Sequence, residues 1–239
     1  MARGDKARGR KRRSGISRLL VWILTIVVVL LLLPYLLVLA YLPASVHPVS
    51  TLMLAERLAG RTYERRWVEF EAIAPVAVQS VLMSEDGRYC AHNGIDWPAL
   101  NLVLDEALEG EATRGASTIP MQTVKNLFLT SHRSVIRKAL EIPLALFADA
   151  VWSKKRMMEL YLNSAEWAPG VFGIEMAAES YFGVSAGQLS RQQAALLAVT
   201  LPNPHRRNPA SPSSGLRRLA QTIETRARQS GAYIKCLYD

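Results

Sequence analysis

The stretch "SVLMSEDGRYCAHNG", Ser80 to Gly94, runs an apolar, helix-like segment straight into two adjacent carboxylates, Glu85 and Asp86. A glycine, Tyr89 and a lone histidine, His92, follow within a few residues. A carboxylate pair at a helix end has two readings. It is either a solvated terminus, the commoner fate of any single Glu, or a catalytic base displayed beside a cleft. The residues on either side decide between them.

Upstream, residues 1–18 hold eight Arg or Lys against Asp5, which is +7 of the chain's formal +9. The basic character therefore belongs to a tail, and a general nucleic-acid-binding surface is excluded. That tail meets "LLVWILTIVVVLLLLPYLLVLAY", Leu19 to Tyr41, which carries no charged residue. A helix of this length crosses a hydrocarbon core of about 30 Å. It is longer than the apolar core of a secretory signal, and Pro34 is tolerable in a membrane helix. Because basic residues favour the cytoplasmic side, the N-terminus is expected inside a bacterial inner membrane and everything beyond about residue 43 in the periplasm.

After a short exit linker, "PASVHPVS", ending in a helix cap at Ser50, the pattern is largely helical to about residue 201. Val76–Met83, Val135–Trp152, Lys154–Asn163 and Ile174–Phe182 read as helices. Ser190 with Gln193 forms a capping box for a further helix that stops at Pro202. A proline- and serine-rich loop precedes a last helix from about Leu216. The expected organisation is a basic tail (1–18), a membrane helix (19–42), a juxtamembrane linker (43–65), a mainly α catalytic domain (66–215) and a C-terminal helix (216–239). Cys90 and Cys236 are the only cysteines, and their spacing leaves a disulfide open. The four histidines are scattered, with neither HxxH nor CxxC, so a zinc site is not expected.

Five segments carry chemistry: "SEDGRYCAHNG" at 84–94, "RGASTIPMQTVKN" at 114–126, "RKALE" at 137–141, "KKRMMELYLNSAEWAPGVFGIEMAAESYFG" at 154–183 and "LSRQQAALLAVTLPNP" at 189–204. In this order and spacing the chain resembles the peptidoglycan glycosyltransferases, specifically the membrane-anchored monofunctional biosynthetic transglycosylases, over roughly residues 66–208. The resemblance implies a lysozyme-like, mainly α fold. It also implies polymerisation of lipid II, a disaccharide-pentapeptide on undecaprenyl diphosphate, into β-1,4 glycan strands by inverting transfer.

On that resemblance Glu85 matches the family's catalytic base, which takes the proton of the attacking sugar hydroxyl. Glu141 matches a second functional carboxylate, with Arg137 and Lys138 on its own helical face. A glycosidase must protonate its leaving oxygen. A diphosphate leaves as a stable anion and needs positive charge instead. Arg114, Lys125, Arg137, Lys138 and Lys154 supply that charge at motif positions, while Ser117, Thr118, Gln122, Asn126 and Asn163 are the neutral substrate-binding candidates. Three departures stand out: Pro120 and Met121 where the family has a hydroxyl residue and a Gln, Tyr89 for a Phe, and Pro143 two residues after Glu141. No cofactor is required by this reading, although Mg2+ or Mn2+ at the diphosphate is conceivable. No S-x-x-K occurs, so cross-linking falls to a separate transpeptidase among cell-wall partners. A glycan-cleaving enzyme and an inactive membrane scaffold of the same fold are the competing readings.

Overall fold

The computed structural model describes residues 5–109, 115–130 and 134–238. It divides into two units, Met1–Ala40 and Tyr41–Asp239. The first is one helix, α1 (Asp5–Ala40), whose stretch Arg18–Ala40 is long and apolar enough to cross a membrane. Its apolar side chains are exposed, as in Leu20, Trp22 and Leu30, so this is not the buried core helix of a soluble protein. The helix fits a single-pass anchor.

The second unit is mainly helical. Its elements are α2 (Thr51–Leu58), α3 (Pro75–Glu85), α4 (Trp97–Leu108), α5 (Ile119–Phe128), α6 (Val135–Val151), α7 (Lys154–Ser164), α8 (Ile174–Phe182), α9 (Arg191–Ala198) and α10 (Ser214–Arg228). Ser50, Thr118, Ser134, Ser153, Ser190 and Ser213 cap six of these, each side chain accepting a bond from a backbone N–H of the first turn. The capping box at Ser190 and Gln193 is formed as read. A small sheet, which the sequence reading did not anticipate, joins β1 (Glu64–Arg65), β2 (Glu166–Ala168) and β3 (Val171–Phe172) in the order β1-β3-β2. β1 runs parallel to β3, and β2 antiparallel. These strands are two or three residues long, too short to show alternation.

α7 is the centre of the unit: every residue from Arg156 to Ser164 is buried. Its polar members are satisfied internally, as burial requires. Asn163 exchanges two hydrogen bonds with the backbone of Val68, both 2.9 Å, and donates a third to Glu159 O. Arg156 pairs with Glu159 and donates to Tyr41 O and Val46 O. The segment read as a linker is thus packed onto the second unit's core. On one flank α3, α9 and α10 pack together through Val78, Leu82, Ala195, Ala198, Ala220 and Ile223, so α10 is part of the same core. On the other, α5 lies between α6 and α7. The junction of these flanks, where α3 ends against α5, holds Glu85.

Candidate active site

Glu85 is the last residue of α3 and half-buried. Its Oε2 accepts from Gln122 Nε2 at 3.1 Å and its Oε1 from Ser84 Oγ at 3.2 Å. Burial raises the carboxyl above the ordinary glutamate range, opposed by those two hydrogen bonds and by the charges of Lys125 and Arg207. Gln122 is itself fixed, its Oε1 accepting from the Tyr161 hydroxyl at 3.2 Å. Tyr161 is fully buried in α7, and burial drives its own ionisation well above the ordinary tyrosine value. It is therefore a lasting donor, and the amide of Gln122 is held with its nitrogen toward Glu85.

Asp86 has a different task. It is buried and accepts from His92 Nε2 at 2.9 Å and from the backbone N–H of Ile119 at 2.9 Å. The second bond ties the end of α3 to the start of α5, the helix that carries Gln122 and Lys125. Thr118 completes the junction, donating to Gly94 O at 2.6 Å while capping α5. Gly94 has φ +87°, and a Cβ there would stand 2.9 Å from Ala145 O on α6, so only glycine lets the loop lie this close.

Two adjoining cavities open beside this junction. One of about 600 Å³ is lined by Ser117, Met121, Gln122, Lys125, Arg137, Lys138 and Glu141, among others. The second, about 490 Å³, is lined on one side by Gln122, Lys125, Asn126, Arg137 and Tyr161. Leu201, Pro202, Pro204 and His205 form its far wall. Gln122, Lys125 and Arg137 border both lobes, and Glu85 stands behind Gln122 rather than in either lining. Glu141 is buried in the first lobe's wall, paired with Arg137 and, at 3.2 Å, with Lys138. Lys138 also donates to Ser117 Oγ at 3.0 Å. Burial, Arg137 and Lys125 lower its ammonium to about 8.

The structure thus gathers Ser117, Gln122, Lys125, Asn126, Arg137, Lys138 and Glu141 at one groove, with Glu85 directly behind Gln122. Three further candidates face elsewhere. Thr118 turns its hydroxyl inward to Gly94. Lys154 donates to His92 O and Asp149, both at 2.7 Å, with its ammonium 4.8 Å from the Tyr89 ring centroid. Asn163 is fully enclosed by its bonds to Val68 and Glu159. All three have polar groups satisfied within the fold. Arg114 lies outside the described residues. Tyr161 and Arg207 were not singled out from sequence: the first is one of many buried side chains of α7, polar and apolar alike, and the second stands in a loop read as a connector.

The departures from the family pattern have local explanations. Pro120 sits in the first turn of α5, where a backbone N–H has no intrahelical acceptor. Met121 is buried and places its sulfur 3.9 Å from Lys138 Nζ. α6 continues through Pro143 as one helix. Among the described residues no three His, Cys, Asp or Glu side chains gather as a metal cage. Glu141, the groove carboxylate, is flanked by two cations, so the donors do not fit a divalent ion held by the chain itself.

A helical domain with a desolvated carboxylate behind a cation-lined groove defines the class: a glycosyl-transfer domain. The chain belongs to the Transglycosylase family, which matches residues 52–228, and it is a glycosyltransferase. It is 63% identical over 214 residues to a biosynthetic peptidoglycan transglycosylase of Rhizobium meliloti (strain 1021), covering 90% of this chain and 91% of the relative. The protein of the same name from Mesorhizobium japonicum is 58% identical over 236 residues, covering 97% and 98%. That of Brucella suis biovar 1 is 56% identical over 214 residues, covering 90% and 96%.

Proposed function

We propose that the chain polymerises lipid II into β-1,4 glycan strands by inverting transfer, releasing undecaprenyl diphosphate, in the synthesis of peptidoglycan. The observation that carries this reading is the bond from Gln122 to Glu85, which couples a partly desolvated carboxylate to a groove walled by Lys125, Arg137 and Lys138. The relatives, biosynthetic peptidoglycan transglycosylases, support the substrate class.

A sugar hydroxyl is a weak nucleophile at neutral pH, so a base must take its proton during attack. Glu85 fills that role. Its raised affinity for a proton makes it a stronger base than a solvated glutamate, while the nearby charges of Lys125 and Arg207 oppose that rise. Negative charge then gathers on the departing diphosphate. Lys125, Arg137 and Lys138, with the Ser117 hydroxyl, meet it as fixed positive charge and donors that need little reorganisation. Glu141 holds Arg137 and Lys138 in place. No metal is assigned to this step.

The apolar helix α1 anchors the enzyme in the inner membrane, N-terminus inside and catalytic unit in the periplasm, at the surface where the lipid-borne substrate is confined. A separate transpeptidase cross-links the product. The test is incubation with purified lipid II and, separately, with finished glycan strands. Wild type is expected to make long strands from lipid II and to leave finished strands intact, and Glu85→Gln to lose roughly 10²–10⁴-fold in kcat. Soluble fragments from finished strands would instead identify a hydrolase. An undiminished Glu85→Gln would remove the carboxylate from the mechanism.

A further inference from the structure

Cys90 and Cys236 are bonded to each other across 146 residues. Cys90 lies five residues after Glu85, in the short turn Tyr89–Ala91, and its neighbours carry the catalytic loop. The Tyr89 hydroxyl donates to Lys154 O at 2.7 Å, and its ring meets His92 edge-on. His92 holds Asp86, and Asp86 holds the first N–H of α5, whose Gln122 reaches Glu85. The far end is different. Cys236 sits in the turn Lys235–Leu237, kept down by buried Ile234 and Leu237 and by the Phe70–Tyr238 ring contact. Cys236 is exposed, whereas Cys90 is half-buried. It also lines an open cavity of about 570 Å³ with Phe70, Glu71, Lys155 and Tyr238. Lys155 and Glu71 form an ion pair in that cavity's wall.

The geometry points to the Cys90–Cys236 bond as a redox site that sets the Glu85 loop and is exchanged, from the Cys236 side, by a thiol–disulfide oxidoreductase. This rests on Glu85 being the base. In reduction, the partner's thiolate attacks Cys236 Sγ and forms a mixed disulfide, and Cys90 leaves as a thiolate that takes up a proton. The partner's second thiol then attacks its own sulfur in the mixed disulfide, releasing the Cys236 thiolate, which is protonated in turn, and carrying off the partner as its disulfide. Closure is the reverse, two electrons passing to a disulfide-bearing oxidant. With the bond open, the C-terminal turn is left to Ile234, Leu237 and the Phe70–Tyr238 contact, and the Tyr89–His92 turn loses its covalent tether while keeping its hydrogen bonds, a local loosening beside the base.

The full chain is the material for the test, with dithiothreitol and oxidised glutathione as probes and alkylation with mass analysis to count thiols. Protein isolated without reductant should carry no free thiol. Reduction should lower kcat on lipid II roughly 10-fold, leave KM within about 3-fold, and move the acid limb of the pH profile toward that of an ordinary glutamate. Oxidised glutathione should restore all three. C90S/C236S should match the reduced enzyme and ignore both reagents. Mixed-disulfide trapping should mark Cys236. Rates are read at least 15 °C below the Tm of the reduced form, so that a purely stabilising bond, expected to shift Tm by roughly 5–15 °C, leaves kcat untouched. Full kcat in the reduced enzyme, trapping at Cys90, or two free thiols in the isolated protein would overturn the proposal. An active Glu85→Gln would instead sink the reading of the base, leaving the thiol count and the trapped cysteine to stand as measured.

Discussion

At the residue scale, the carboxylate behind the groove and an ammonium in its wall have displaced proton affinities, and they act in opposite directions. Glu85 works as a base only when ionised, and burial raises its carboxyl, so kcat/KM should climb with pH through a midpoint above that of a solvated glutamate. In the proposed transfer Lys138 would meet the diphosphate only when protonated, and its ammonium is lowered to about 8. Activity should therefore fall as pH rises through about 8, giving a bell-shaped profile. Lys138→Arg carries a charge that does not titrate in this range. It should keep activity at pH 7 within roughly 10-fold of wild type and push the alkaline limb beyond about pH 10. A bound diphosphate favours the charged ammonium, so in wild type the alkaline limb of kcat should lie above that of kcat/KM. Matching limbs in wild type and Lys138→Arg would remove Lys138 from the groove's chemistry.

The element scale separates residues that a motif cannot tell apart. Thr118 and Asn163 stand in motif segments as firmly as Gln122, yet both turn inward. Asn163 makes two hydrogen bonds that stitch α7 to the chain at Val68 and a third within α7 to Glu159 O. Asn163→Leu strands that backbone N–H and C=O, at about 3 kcal/mol if each costs the usual 1–3, or roughly 6–12 °C in Tm for a unit of this size. Turnover by the folded fraction should stay within about 3-fold. A kcat loss beyond about 100-fold with unchanged Tm would return Asn163 to the substrate. Pro120→Ser tests the opposite case. Proline fits the first turn of α5 without forfeiting a helix bond, so restoring a hydroxyl there should change kcat/KM by no more than about 5-fold. Helices were legible in the sequence because caps and apolar faces are local signals: Ser50, Ser190 and the span 174–182 needed nothing from elsewhere. The inward turn of Lys154, Thr118 and Asn163 was not, because each is decided by partners 24 to 95 residues away. The three-stranded sheet escaped for the same reason, since β1 finds its partner more than a hundred residues downstream.

At the scale of the whole molecule, two units of opposite solvent preference share one chain. Met1–Ala40 exposes its apolar side chains along nearly the whole span from Leu19 to Leu39. Tyr41–Asp239 buries its own around α7 and between α3, α9 and α10. This division was legible, because charge and apolar length need no tertiary information, although the unit boundary falls at residue 41 and gathers the linker and the last helix into the catalytic core. Arg156 shows why: it donates to the carbonyls of Tyr41 and Val46, so the first residues of the second unit are bonded into its centre. A chain lacking residues 1–40 should therefore fold, with a Tm within about 3 °C of the parent's catalytic unit. Its chemistry should be intact as well, since the residues that line the groove begin at Leu52. What it loses is co-localisation. Confining enzyme and substrate to one surface raises effective concentration, and such tethering is worth roughly 10²–10⁴-fold. With lipid II in vesicles, turnover at low enzyme concentration should then fall at least about 100-fold on truncation. With lipid II dispersed in detergent micelles, the two forms should agree within about 5-fold. Equal rates in vesicles would show that the catalytic unit finds the bilayer by itself. A loss of equal size in both media would show that the first forty residues support the fold or the groove rather than the encounter.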